Sequence, residues 1–319
     1  MDNSNILVET KNLKKYFNLK QGLLHAVDDV SLKIEKGKTL GLVGESGCGK
    51  STIGRLIIRL LEPTDGSVEF NGSDIQKESK AEMRNLRKSM QIIFQDPFSS
   101  LDPRKTISQA IEEPLRITNI EPNRRNRENK VLDIMETVGL SKRIVNYYPH
   151  ELDGGRRQRV GIARALSVDP KFIVCDEPVS ALDVSIQAQI LNLMQELQAE
   201  RDLTYLFITH DLSVVNHFSD DIAVMYLGKL VEKAPAEILF KNPMHPYTKA
   251  LLSAIPVPKL GVKKERMILK GEITSPINPK AACRFANRCN FAMDICRSQE
   301  PELVEKEREH QISCFLYDN

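Results

Sequence analysis

Gly44-Glu45-Ser46-Gly47-Cys48-Gly49-Lys50-Ser51 sets two glycines with four residues between them, ahead of a lysine and a hydroxyl side chain. In such a loop the glycines let successive backbone N–H groups point inward around phosphate oxygens. Lys50 would reach the β- and γ-phosphates, and Ser51 would ligate Mg²⁺. The helix expected from Lys50, with Thr52 in its first turn, adds its positive N-terminal end to the same pocket. Cys48 reads as a small filler within the loop. Further along, apolar Phe172-Ile173-Val174-Cys175 ends in Asp176-Glu177. That places two carboxylates at the C-terminal end of a buried strand, where parallel sheets put their ligands. Another apolar run, Leu206-Phe207-Ile208, leads into Thr209-His210-Asp211. Near the N-terminus, Tyr16 could stack on adenine, with the adjacent Phe17 as its rival. The chemistry implied is the handling of a nucleotide's phosphates with a divalent metal.

These groups need strands to aim them and helices to cover the strands. Thr39–Val43 is a short apolar strand feeding the glycine-rich loop, and a helix is expected over Lys50–Leu61. Phe172–Cys175, Thr204–Thr209 and Asp221–Tyr226 are further strands. Ile186, Ile190, Leu193 and Leu197 recur at helical spacing, which predicts an amphipathic helix packed on a sheet. Strands separated by helices imply an α/β fold with a largely parallel sheet covered on both faces. Residues from about Asp96 to Val168 interrupt the rhythm with the charged run Glu121–Lys130 and a helix-like stretch, Val131–Val138. They read as a mostly helical insertion. After Ile255, Pro256-Val257-Pro258 and Lys263-Lys264-Glu265-Arg266 suggest a linker into a small tail. The expected division is therefore 1–255 for the nucleotide-binding domain, with its helical part at about 96–168, and 256–319 for a cysteine-bearing extension.

Composition excludes several classes. Lys and Arg total 45 against 43 Asp and Glu, so no basic excess argues for a nucleic-acid partner. A hydrophobic content of 41% and a charged content of 28% describe an ordinary soluble globular protein. The apolar stretch Ile53–Leu61 is broken by Gly54, Arg55 and Arg59, too short and too charged to span a bilayer. Met1-Asp2-Asn3-Ser4-Asn5 lacks the features of a secretory signal. A cytoplasmic protein is expected, acting on a membrane only through a partner. Of six cysteines, Cys48 and Cys175 sit inside the nucleotide motifs, while Cys283, Cys289, Cys296 and Cys314 crowd the tail. In a reducing compartment the second group reads as metal ligands rather than disulfides.

Glu151-Leu152-Asp153-Gly154-Gly155-Arg156-Arg157-Gln158-Arg159, ahead of the strand ending in Asp176-Glu177, narrows the class. It resembles the signature and Walker B region of ATP-binding cassette (ABC) ATPases, which hydrolyse ATP as head-to-tail pairs. The resemblance implies a parallel-sheet phosphate-loop core with an antiparallel β part and a helical subdomain. It also implies roles. Asp176 would hold Mg²⁺, Glu177 would polarise the attacking water, and His210 would contact the γ-phosphate. Gln95, in Ile92-Ile93-Phe94-Gln95-Asp96, would join Ser51 and Asp176 around Mg²⁺. Ser180-Ala181-Leu182-Asp183 would be the loop that crosses between paired subunits.

The departure lies in the signature itself, which typically reads Leu-Ser-Gly-Gly-Gln and here reads Leu152-Asp153-Gly154-Gly155-Arg156. Asp preserves the helix cap but cannot donate to a γ-phosphate. At an effective dielectric near 20, two like charges about 4 Å apart repel by about 4 kcal/mol. Arg156 could offset part of this. The expectation is a weakened composite site on this chain's signature, and hence a heterodimer with a second ATPase.

Phe94-Gln95-Asp96-Pro97-Phe98-Ser99-Ser100-Leu101-Asp102-Pro103-Arg104, Asn242-Pro243-Met244-His245-Pro246-Tyr247-Thr248-Lys249-Ala250-Leu251-Leu252 and the cysteine tail resemble the oligopeptide/dipeptide importer ATPases. Arg59-Leu60-Leu61-Glu62-Pro63-Thr64-Asp65-Gly66 is similar to their second, F-type subunit. Nickel importers share the branch. The resemblance implies two transmembrane permeases, a D-type partner ATPase, an extracellular peptide-binding protein, and a place on the cytoplasmic side of the membrane. It also associates the four tail cysteines with a [4Fe–4S] cluster, with Arg284, Arg288 and Arg297 balancing its charge; zinc is the alternative. Two other classes remain beside peptide import, a cytoplasmic ABC ATPase without a transporter and an iron–sulfur sensor with a regulatory ATPase.

Overall fold

The computed structural model describes residues 5–255, 267–269, 271 and 274–318. Ile6–Leu19 (β1) and Gly22–Glu35 (β2) form an antiparallel hairpin. The buried strand Thr39–Val43 (β3) leads through the glycine-rich loop into Lys50–Ile57 (α1). Asp65–Phe70 (β4), Ser73–Asp74 (β5), Lys80–Ser89 (α2) and Met90–Ile93 (β6) follow. The insertion consists of Pro97–Ser100 (α3), Ile107–Thr118 (α4), Arg124–Thr137 (α5) and Gly154–Leu166 (α6). The core then resumes with Phe172–Asp176 (β7), Val184–Arg201 (α7), Thr204–Thr209 (β8), Leu212–Phe218 (α8), Asp221–Tyr226 (β9) and Lys229–Pro235 (β10). Ala236–Lys241 (α9), Pro246–Ala254 (α10), Asp294–Ser298 (α11), Val304–Glu307 (β11) and His310–Ile312 (β12) complete it.

Two sheets carry the molecule. One is antiparallel, in the order β2-β1-β4-β5; the other has eight strands in the order β11-β12-β10-β9-β3-β8-β7-β6. Within the second, β6, β7, β8, β3 and β9 run parallel, and their C-terminal ends point the same way. The side-chain period of two divides these strands between two cores. Phe172, Val174, Leu206 and Ile208 face the core shared with β1, β2 and α1. Their neighbours Ile173, Cys175, Tyr205 and Phe207 face the helical side. Burial on both faces is why these strands read as unbroken apolar runs.

Three expectations shift. Helix α1 stops at Ile57 rather than Leu61, because Arg59 takes a left-handed conformation (φ 51°) and its guanidinium donates to the Ile75 and Glu78 carbonyls. Helix α5 begins at Arg124, well before Val131, because Asn123 caps the Arg125 and Asn126 N–H groups. The charged run is the solvated start of that helix. The extension, finally, does not stand apart. Strand β12 pairs with β10, so residues 304–312 lengthen the central sheet. The seam is locked by fully buried Glu232, whose carboxylate accepts from Met244 N–H (2.6 Å), His245 N–H (3.1 Å) and His310 Nε2 (2.8 Å). Burying a carboxylate is costly unless its oxygens are hydrogen-bonded, and here they are. Residues 256–266, the expected linker, lie outside the described residues.

Candidate active site

The phosphate loop is wedged between β2 and the end of β9. Gly44 (φ 157°) and Gly49 (φ 107°) lie where a Cβ would sit 2.2 Å from the Met225 carbonyl and 2.1 Å from the Ala26 carbonyl. Only glycine fits that approach. Lys50 is buried, and its ammonium donates to the Gly44 and Glu45 carbonyls at 2.7 and 3.0 Å. Cys48 is buried beside it, with its thiol pKa pushed up by desolvation.

The ends of β7 and β8 bring the acidic groups to the loop. Ser51 Oγ donates to Asp176 Oδ1 at 2.6 Å, so two oxygens suited to Mg²⁺ stand side by side. Burial raises the Asp176 carboxyl above its ordinary range, against the hydrogen bond from Ser51. Glu177 takes a left-handed conformation (φ 48°), anchored by its N–H on the Ile208 carbonyl at 3.0 Å. A non-glycine residue held there is strained backbone, of the kind concentrated at functional sites. Gln95 Nε2 donates to Glu177 Oε2 at 3.0 Å, and His210 Nδ1 lies 3.3 Å from the same oxygen. Gln95 thus meets Glu177, and its expected place around Mg²⁺ is not tested by this contact. A cleft of about 260 Å³ runs along these groups, lined by Phe17, Ser46, Gly47, Lys50, Ser51, Thr52, Gln95 and Glu177 among others.

Tyr16 is not in that lining. Its ring stacks on His25 with centroids 4.0 Å apart, and its hydroxyl donates to Asp28 Oδ1 at 2.5 Å. The aromatic side chain turned to the cleft is Phe17.

Residues 152–156 and 180–183 are not in the lining either. Asp153 caps α6 by accepting the Arg156 N–H at 2.8 Å, and its carboxylate lies 3.3 Å from Arg156 Nε. Both side chains are more than half exposed. Gly154 and Gly155 lie under Leu182 and Ile186, where a Cβ would come within 3.2 and 2.8 Å of those side chains. The signature and the loop Ser180-Ala181-Leu182-Asp183 therefore pack as one surface, with Ser180 Oγ donating back to the Glu177 carbonyl at 3.2 Å.

The four tail cysteines are free thiols. Burial pushes Cys283 to about 12 and Cys314 to about 11, with a further push from neighbouring cysteines. Yet among the described residues no three His, Cys, Asp or Glu side chains are grouped to hold a metal ion. As they are placed, the four thiols do not form an assembled ligand cage for zinc or a [4Fe–4S] cluster. Arg284 and Arg288, expected to balance a cluster's charge, are turned elsewhere: Arg284 to Asp28 and the Leu227 carbonyl, Arg288 to Glu45.

A parallel sheet, a phosphate loop, an acid pair and an outlying signature surface together define an ABC ATPase. The ABC transporter family profile matches residues 27–180, and that of the oligopeptide/dipeptide transporter C-terminal region matches residues 231–296. The oligopeptide transport ATP-binding protein AppF of Bacillus subtilis is 51% identical over 325 residues, covering 99% of this chain and 98% of that protein. The dipeptide transport ATP-binding protein DppF of Haemophilus influenzae is 48% identical over 318 residues, covering 98% and 97%. A dimeric ATP-binding cassette in a post-hydrolysis state with ADP and Pi superposes with a TM-score of 0.67 at 29% identity, over 72% of this chain and 99% of that one. The chain belongs to the oligopeptide/dipeptide branch of ABC transporter ATP-binding proteins.

Proposed function

We propose that this chain is the ATP-hydrolysing subunit of an importer of short peptides, bound peripherally at the cytoplasmic face of the membrane beneath two permeases. Among the described residues no helix is long and apolar enough to cross a membrane, so attachment falls to the permeases. In this reading the loop from Gly44 to Ser51 wraps the phosphates, Lys50 neutralises them, and Ser51 and Asp176 hold Mg²⁺. Glu177 takes the proton of the attacking water, and Gln95 and His210 set the direction of its carboxylate. Phe17, rather than Tyr16, supports the adenine. Positioning and electrostatics, not covalent chemistry, supply the catalysis.

The observation that carries the reading is the convergence of Gln95 and His210 on Glu177 Oε2, beside the Ser51–Asp176 pair. The cleft includes none of the chain's own signature residues. That supports a head-to-tail dimer, in which a second ATPase, proposed to be the D-type subunit, closes this cleft with its own signature. An extracellular binding protein would deliver the peptide. The cluster on Cys283, Cys289, Cys296 and Cys314 rests on the family resemblance alone. Iron and sulfide in equal amounts after anaerobic purification would support it; one zinc per chain would support the alternative.

Purification of the tagged chain from detergent-solubilised membranes tests the assembly. Two permeases and a second cassette ATPase are the expected companions. Recovery with ribosomes or nucleic acid, or with no partner, would overturn the transporter reading while leaving the ATPase intact.

A further inference from the structure

Glu45, the second residue of the phosphate loop, is held from outside the loop at both its main chain and its side chain. Its N–H donates to the Tyr247 hydroxyl at 2.9 Å. Its carboxylate receives two parallel bonds from Arg288, Nη1 to Oε2 at 2.6 Å and Nη2 to Oε1 at 3.1 Å. The pair is largely shielded, with side-chain exposures of 10% for Arg288 and 20% for Glu45, and the guanidinium lies over the Tyr226 ring at 5.9 Å. Bidentate geometry and desolvation set this contact apart from a surface ion pair. Four residues earlier, Arg284 reaches Asp28. The Asp28 N–H bonds the Gly228 carbonyl at 2.9 Å, and the Gly228 N–H bonds the Cys48 carbonyl at 2.9 Å. The extension therefore holds the loop directly at Glu45, and Arg284 ties down Asp28, whose neighbour in the hydrogen-bond chain, Gly228 of the core, holds the Cys48 carbonyl.

Charge gives this grip a function. The loop is built to receive a polyphosphate, and Glu45 puts a carboxylate at its second residue. An unpaired carboxylate there would repel the ligand. Lys50 bonds the Gly44 and Glu45 carbonyls, leaving the Glu45 carboxylate to Arg288. We infer that Arg288 is a positioning residue of the ATP site: it cancels the charge of Glu45 beside the phosphates, making the C-terminal extension part of the nucleotide-binding machinery. The inference rests on the reading that nucleotide occupies this loop.

Calorimetric titration of the full-length chain with Mg·ADP and Mg·AMP-PNP tests it. Arg288→Gln should raise the Kd for Mg·AMP-PNP about tenfold, and that for the less charged Mg·ADP by a smaller factor. Adding Glu45→Gln should restore both to within about threefold of the parent, because the offending charge is gone. A merely structural tie behaves otherwise. The double variant would then stay as weak as Arg288→Gln, and that result, like parental binding by Arg288→Gln, overturns the proposal. Should Arg288→Gln fail to fold, Glu45→Gln alone decides: unchanged or tighter binding supports the inference, and weaker binding overturns it. Lys50→Ala in the same assay checks the underlying reading. Loss of binding places nucleotide in the loop; retained binding would remove that reading, and Arg288's role with it.

Discussion

The phosphate-loop surface and the signature surface of this chain, the two proposed to meet ATP, are built in opposite ways. Around the phosphate loop Lys50, Asp176 and Glu177 are buried and the charged groups are cross-tied: Lys50 to loop carbonyls, Asp176 to Ser51, Glu177 to Gln95 and His210, and half-buried Glu45 to Arg288. At the signature, Asp153 and Arg156 are open to water and paired chiefly with each other. Buried charges are costly unless partnered, so the first surface has a defined geometry before any ligand arrives. The second is ordered only by its cap and by the packing of Leu182 and Ile186 on the two glycines. A rigid half-site and an exposed half-site on one chain are what a head-to-tail pair requires.

The largest way to break this comparison is Glu177→Gln. The amide keeps the size and the left-handed backbone of Glu177 but cannot take a proton. Hydrolysis by the assembled transporter should fall by about 10²–10⁴-fold, while Mg·ATP binding stays within a few-fold of the parent. Steady-state ATPase and equilibrium titration on one preparation separate the two. Parallel loss of binding would mean that Glu177 shapes the pocket rather than driving the chemistry.

Next is the stability stored beside the loop. Burial pushes the Asp28 carboxyl up, but hydrogen bonds from Tyr16 and His25 and the charges of Lys229 and Arg284 outweigh it and hold the carboxyl at about 2, against an ordinary 3.8. A carboxyl lowered on folding contributes stability that is present above the unfolded value. That stability is lost as pH falls through the folded one. Asp28 should therefore contribute about 2 kcal/mol near neutrality, lost between about pH 4 and pH 2. Urea melts of the parent and Asp28→Asn should differ most near pH 6 and converge toward pH 2.5. A pH-independent difference would show that packing, not charge, is what Asp28 provides.

Which of two adjacent rings meets the base is a finer question, and it shows where the sequence stops being legible. Strands β3, β8 and β9 can be read to the residue, since strands buried on both faces are unbroken apolar runs. The loop and the acid pair are equally plain, because each motif is local. Tyr16 and Phe17 are not separable in this way: neighbours on a strand face opposite sides, and β1 has a register shift between Lys15 and Tyr16. A slip of one residue exchanges the faces. The Arg288–Glu45 contact joins residues 243 apart and leaves no local pattern at all. The union of β12 with β10 is hidden for the same reason. Phe17→Ala should weaken nucleotide binding by about 1–2 kcal/mol, the range of aromatic–base stacking, and Tyr16→Phe should leave it nearly unchanged. The reverse order would return the adenine to Tyr16.

The smallest effect belongs to the exposed half-site, and it sharpens the comparison most. Asp153 in place of the usual serine looks damaging if its charge is counted alone. The structure pairs that charge with Arg156 at 3.3 Å, so the Asp153–Arg156 unit presents little net charge to an incoming γ-phosphate. Because both side chains are solvated, the remaining repulsion belongs nearer the water limit, about 1 kcal/mol at about 4 Å. Arg156→Gln alone should therefore slow hydrolysis at the partner's phosphate loop by about fivefold, and more at low salt than at high. Asp153→Ser with Arg156→Gln should recover that loss and exceed the parent by no more than about threefold. These rates are read with this chain's own site silenced by Glu177→Gln. A rise well beyond that in the double variant would mean that Asp153 acts as an unscreened charge and that the signature of this chain is a damaged one. Recovery to the parental rate would mean that aspartate and arginine together do what serine and glutamine do in the usual sequence.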